Sequence, residues 1–188
     1  VLCPSWSIDS PPYNLALLKA VLQTRGYEAV CYDLNIELFN HVTNAAEKDS
    51  WLGMVKGKCW NDKGFAVSMF NKYEGFVDNF INDLLKLDTK VIGFSVNQRN
   101  YFFTIELVNK IKRIDPEKII ILGGSHCFRN DRGLEILRDS EADAICTGEG
   151  EDSFCNILDI IKTTGMLDKC IGIAFKDKKN GIIIDGRD

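Results

Sequence analysis

Two short stretches carry residue types and spacing from which chemistry can be built: Gly123-Gly124-Ser125-His126 and Thr147-Gly148-Glu149-Gly150-Glu151. In the first, paired glycines let a ligand approach the backbone closely, or let the chain turn at positive φ. His126 stands one step outside that turn, with no serine or cysteine at a spacing that would make it a catalytic base. In the second, the start of a G-x-G-x-x-G phosphate loop is not completed, because Ser153 stands where the third glycine belongs. Two glutamates at a helix start suit the helix dipole but repel a phosphate. This turn therefore suits a partner offering amide or hydroxyl donors, or is a plain helix start. Ser95-Val96-Asn97-Gln98-Arg99-Asn100 offers polar side chains either to a ligand or to a helix cap. The polar, proline-bearing loop from Ser5 to Tyr13 is equally open.

The elements that must position these stretches are legible around them. Lys90 to Ser95, Lys118 to Gly123 and Ala142 to Thr147 are near-continuous apolar runs, as expected of parallel strands covered on both faces. Helical patterns follow each: Tyr101 to Ile114, about Asp131 to Asp139, and Glu151 to Lys162. Near the start, Val1 opens into a strand end, Asn14 to Arg25 reads as an amphipathic helix closed by Gly26, and Glu28 to Leu34 reads as a second strand. An aromatic-rich helical insert occupies about 36–87, and Cys170 to Phe175 with Gly181 to Asp185 reads as a β-hairpin around the turn Asp177-Lys178-Lys179-Asn180. This alternation predicts an α/β fold: a doubly wound, mainly parallel five-stranded sheet of Rossmann-like or flavodoxin-like type, with the insert after strand 2 and a C-terminal hairpin. Residues 1–168 form the domain and 169–188 a hairpin or linker. All the candidate stretches then fall at the carboxyl ends of strands, where open α/β sheets bind ligands.

Bulk properties narrow the class. A chain of 188 residues suits one domain, and 23 − 27 = −4 net charge argues against nucleic acid as the main partner. No apolar run is long enough to span a bilayer, and no signal peptide is visible. The seven cysteines (Cys3, Cys31, Cys59, Cys127, Cys146, Cys155, Cys170) contain no C-x-x-C. That spacing predicts no metal framework but buried, reduced thiols in a cytoplasmic protein. An FMN site of flavodoxin type fits poorly, because Trp6, Ile8, Asp9 and two prolines fill the loop after the first strand. Phosphotransfer fits poorly too, because Ser95 and Asn97 occupy the stretch where a receiver aspartate would end the central strand.

The ordered set of motifs resembles the N-terminal cobalamin-binding domain of B12-dependent radical SAM enzymes. The resemblance rests on helix Asn14 to Leu22 with Arg25-Gly26-Tyr27-Glu28, on Cys31-Tyr32-Asp33-Leu34-Asn35, on Ile92-Gly93-Phe94-Ser95, and on the glycine turns at 123–126 and 147–151. Gly172 to Phe175 with Gly181 to Ile183 looks like the hairpin ahead of that family's radical SAM core. The resemblance implies a cobalamin cradle of Ser95, Val96, Asn97, Gly123, Gly124, Ser125, His126, Thr147, Gly148, Glu149 and Gly150. It implies a parent enzyme with a 4Fe-4S cluster and S-adenosylmethionine, whose core domain would be the partner. The D-x-H-x-x-G motif is absent, so the expected cobalamin is base-off, with no histidine ligand from this domain. The C-x-x-x-C-x-x-C cluster motif is absent as well, so the chain is expected to hold no catalytic residue and no metal site of its own. Alternative readings are a cofactor-free scaffold or docking domain of the same fold, and another small-molecule or nucleotide binder.

Overall fold

Three apolar runs become three parallel strands with their crossover helices where the periodicity places them. The computed structural model describes residues 1–128, 130–177 and 180–186. Strand β1 (Val91–Ser95) leads through α7 (Tyr101–Ile114) to β2 (Ile119–Gly123), and through α8 (Asp131–Asp139) to β3 (Ala144–Cys146). Helix α9 (Gly150–Thr164) then returns the chain to β4 (Ile173–Lys176) and β5 (Ile183–Gly186). The sheet order is β1-β2-β3-β4-β5, with β1–β2 and β2–β3 parallel and β3–β4 and β4–β5 antiparallel. The hairpin thus continues the same sheet. Lys178 and Lys179 of its expected turn lie outside the described residues.

Five strands are present among the described residues, but two of them are not the expected ones. Val1 and Glu28 to Leu34 do not form strands: Leu2 makes single parallel bridges to Asp33 and Ser95. The extended stretch ends because the Asp33 carboxylate accepts the Ile36 N–H (3.1 Å) and caps helix α2 (Leu34–His41). The sheet is therefore mixed, with the hairpin supplying two of its strands. Those bridges still place the chain's reversal of direction across the sheet at Leu2, beside the end of β1.

Alternation along the strands divides the core in two. Ile92, Phe94, Ile120, Leu122 and Ile145 face the insert helices with α7 and α8. Ile119, Ile121, Ala144, Cys146 and Ile173 face α9 and helix α1 (Tyr13–Thr24). Helices on both faces make the fold doubly wound. Helix α1 ends where Gly26 takes φ +77 and the Tyr27 N–H reaches the Leu22 carbonyl (3.0 Å).

The insert forms α2, two short helices (Ala45–Lys48 and Gly53–Lys56, α3 and α4), two 3-10 turns, and α5 (Lys63–Lys72) and α6 (Glu74–Leu85). Its aromatics are interior: Trp51 packs edge-on against Trp60 (4.7 Å), and Phe70 against Phe103 of α7 (5.1 Å). Fully buried Asn35 ties the insert to the N-terminal loop. Its Oδ1 accepts from the Trp6 N–H (2.8 Å) and the Trp51 Nε1–H (2.9 Å), and its Nδ2 donates to the Ser7 carbonyl (3.3 Å). Asn35→Ala strands two donors and is expected to lower stability by about 1–3 kcal/mol in urea unfolding. A loss near zero would show that water replaces the amide.

All seven cysteines are free, but not all are buried: Cys31 is exposed and Cys59 partly so. Among the described residues no helix is long and apolar enough to cross a membrane.

Candidate functional site

The parallel register brings the ends of β1, β2 and β3 to one edge, where Ser95 pairs with Gly123. Several predicted site residues build this edge rather than face outward. Val96 is buried; its N–H donates to the Gly123 carbonyl (2.6 Å) and its carbonyl accepts from the His126 N–H (3.1 Å). Gly124 sits at φ +108, and a Cβ there would come within 2.7 Å of the Val96 oxygen, so only glycine fits. Asn97 Oδ1 accepts from the Arg99 N–H (2.8 Å) and the Asn100 N–H (3.2 Å), while Asn100 Oδ1 accepts from the Asn97 N–H (2.7 Å). Thr147 is buried and gives both its N–H (2.8 Å) and its hydroxyl (3.2 Å) to the Gly172 carbonyl, latching β3 to the hairpin.

Below this edge a groove of about 890 Å³ opens on the α1/α9 face. Its floor is Gly93, Ile121, Gly123 and Cys146; its walls are Leu15, Leu18 and Leu22 of α1 and Phe154, Leu158 and Ile161 of α9. Ser95, Gly123, Gly124, Gly148 and Gly150 stand at its mouth. Glycine at 93 makes room for the Phe154 wall: a Cβ there would lie 3.2 Å from its ring. Burial pushes the Cys146 thiol up to about 12, so it stays an uncharged part of that floor. At the mouth the Asn14 amide donates to the Ser95 hydroxyl (2.6 Å). Helices α1 and α9 are also joined at the surface, with Arg25 on Asp152 (3.3 Å) and the Tyr27 hydroxyl donating to Asp159. Burial, then that hydrogen bond, pushes the Tyr27 phenol up to about 12, so it remains a donor.

The remaining predicted residues divide differently. Ser125 and His126 line a smaller cleft of about 550 Å³ on the α7/α8 side, with Tyr101, Phe128, Glu135 and Asp139. The His126 ring lies 4.9 Å from that of Tyr101. Glu149 is exposed and directly precedes α9. His41, the second histidine, stacks on Phe76 (4.6 Å) in the insert. Among the described residues no group of three or more His, Cys, Asp or Glu is placed to hold a metal ion.

The B12 binding domain family matches residues 47–158, which span the insert from Glu47 onward, all three parallel strands and most of α9. The chain belongs to this family. A UPF0313 protein of Thermotoga neapolitana is 25% identical over 174 residues, covering 87% of this chain and 29% of the relative. A radical S-adenosylmethionine methyltransferase, TsrM from Kitasatospora setae, solved with tryptophan and a SAM analogue, shares the fold. It superposes over 100% of this chain and 30% of that one at TM-score 0.62 and 14% identity. The chain thus spans under a third of the length of these relatives.

Of the residues singled out by sequence, Ser95, Gly123, Gly124, Gly148 and Gly150 line this groove in the B12-binding domain, whereas none of its apolar walls is among them. Leu15, Leu18, Phe154 and Leu158 lie on amphipathic helices, and apolar residues there are indistinguishable from ordinary core. Gly93 did carry a signal, being a glycine inside a buried strand, where it marks close approach of a ring, backbone or ligand. The groove fits cobalamin on the chain's own chemistry. An apolar slot with a glycine mouth suits a flat aromatic tail, and the amide and hydroxyl groups at the edge suit the amides of a corrin.

Proposed function

We propose that this B12-binding domain holds cobalamin, with the corrin over the ends of β1–β3 and the nucleotide tail in the α1/α9 groove, for a radical SAM core elsewhere in a longer polypeptide. The observation that carries this is the apolar, glycine-mouthed groove of about 890 Å³ within a B12-binding fold. In this reading Ser95, Gly123, Gly124, Gly148 and Gly150 admit the tail. Val96, Asn97, Thr147 and Glu149 shape the edge beneath the corrin, and Ser125 and His126 border it on the α7/α8 side. When bound, cobalamin would supply a cobalt centre able to carry a methyl group or assist radical chemistry. A 4Fe-4S cluster and S-adenosylmethionine would belong to the core. The chain's own residues bind, orient and shield. Base-off binding, without a histidine ligand from this domain, belongs to the same reading and rests on the sequence, which has no D-x-H-x-x-G motif.

The test is retention. Protein mixed with hydroxocobalamin and then desalted is expected to keep about one equivalent of colour, with a base-off visible spectrum. A colourless, folded protein fraction would overturn binding by this domain and favour the cofactor-free scaffold.

A further inference from the structure

Resting on that reading, we infer that the groove selects the lower base of the corrinoid: it takes a benzimidazole or similarly apolar ring and rejects adenine. Its interior is built from Leu15, Leu18, Ile121, Cys146, Phe154 and Leu158, whose side chains offer no strong hydrogen-bonding group. Burial pushes the Cys146 thiol up, and its sulfur is a weak partner in any case. Three of the polar side chains that line the slot are already engaged. Asn14 donates to Ser95, the Tyr27 hydroxyl donates to Asp159, and Thr89 Oγ1 donates to the Val91 carbonyl. Of the charged lining residues, Glu28, Asp88, Lys90 and Lys162 are exposed, and Lys19 and Glu151 are half-buried. Adenine's six-membered ring carries an exocyclic amine and two nitrogens where that of dimethylbenzimidazole has only carbon and hydrogen, so entering this slot would strip water from polar groups without replacing it. An apolar ring loses no such partners and packs against the leucines, Ile121 and Phe154.

The experiment compares three corrinoids on the same protein by equilibrium dialysis: cobalamin, the adenine-tailed analogue, and cobinamide, which has no nucleotide tail. Cobalamin is expected to bind at least about tenfold more tightly than the adenine form, a difference of ~1.4 kcal/mol. It should also bind more tightly than cobinamide. Leu158→Gln, which places an amide in the wall, should narrow the gap between the two tailed forms. Equal binding of those forms overturns the inference while leaving cobalamin binding intact. A gap unchanged by Leu158→Gln overturns its assignment to this groove. Failure of all three corrinoids to bind overturns the functional reading itself, and the selectivity with it.

Discussion

Gly123→Val should cost the domain its cobalamin while leaving its fold in place. Gly123 is the last residue of β2 and its φ is not in the left-handed region, so a β-branched residue suits the backbone. A Cβ there would sit 3.7 Å from the Cys146 Cβ, which is ordinary van der Waals contact. The added methyls then have only the groove mouth to occupy. Corrinoid affinity is expected to fall at least about 100-fold, or ~2.8 kcal/mol. The urea midpoint should move little, and Gly123→Ala should have a small effect on both. Unchanged affinity in a folded Gly123→Val protein would mean that the tail does not pass this mouth. Gly124 is the wrong position for the test, because a Cβ there collides with the Val96 backbone and would distort the loop itself.

The largest stability effect is expected at the opposite edge of the sheet. Asp143 is buried and accepts the Ile120 N–H (2.7 Å), and both its carboxylate oxygens lie 3.0 Å from the Lys112 ammonium. Lys112 also donates to the Pro116 and Lys118 carbonyls (2.9 Å each), so the pair closes the α7–β2 turn against the start of β3. Asp143→Ala removes one partner of a buried pair, leaving an ammonium short of its counter-charge and a strand N–H without an acceptor. About 3–5 kcal/mol should be lost in urea unfolding. That is a large part of the stability of a domain this size. A loss under about 1 kcal/mol would show that water or the two carbonyls compensate.

How far the sequence reveals this molecule depends on which physical signal each part carries. Buried parallel strands are near-continuous apolar runs, and 91–95, 119–123 and 144–146 fall inside the three runs read as strands. Helix α7 runs over Tyr101–Ile114, as its periodicity indicates, because amphipathic spacing is tied to a core on one side. Glu28 to Leu34 misleads because Ala29-Val30-Cys31-Tyr32 has strand composition, yet Val30 is 64% exposed and the Asp33 cap diverts the chain into α2. Composition reports propensity, whereas pairing depends on neighbours that only the tertiary fold supplies. The candidate site divides in the same way. Glycine turns at strand ends mark the mouth, since the backbone needs special residues there. Thr147 and Asn97 have the side chains of ligand contacts, but their hydrogen bonds hold the edge together. The apolar walls look like core because they are core on one side and groove on the other.

The most direct test of the proposed location is a methyl NMR titration of the protein, labelled at isoleucine and leucine, with cobalamin. Leu15, Leu18 and Leu158, which wall the groove, and Ile121, on its floor, should shift or broaden at one equivalent. Ile136, lining the α7/α8 cleft, should be much less affected. Perturbations centred on Ile136, with the groove methyls unmoved, would contradict the placement of the nucleotide tail between α1 and α9.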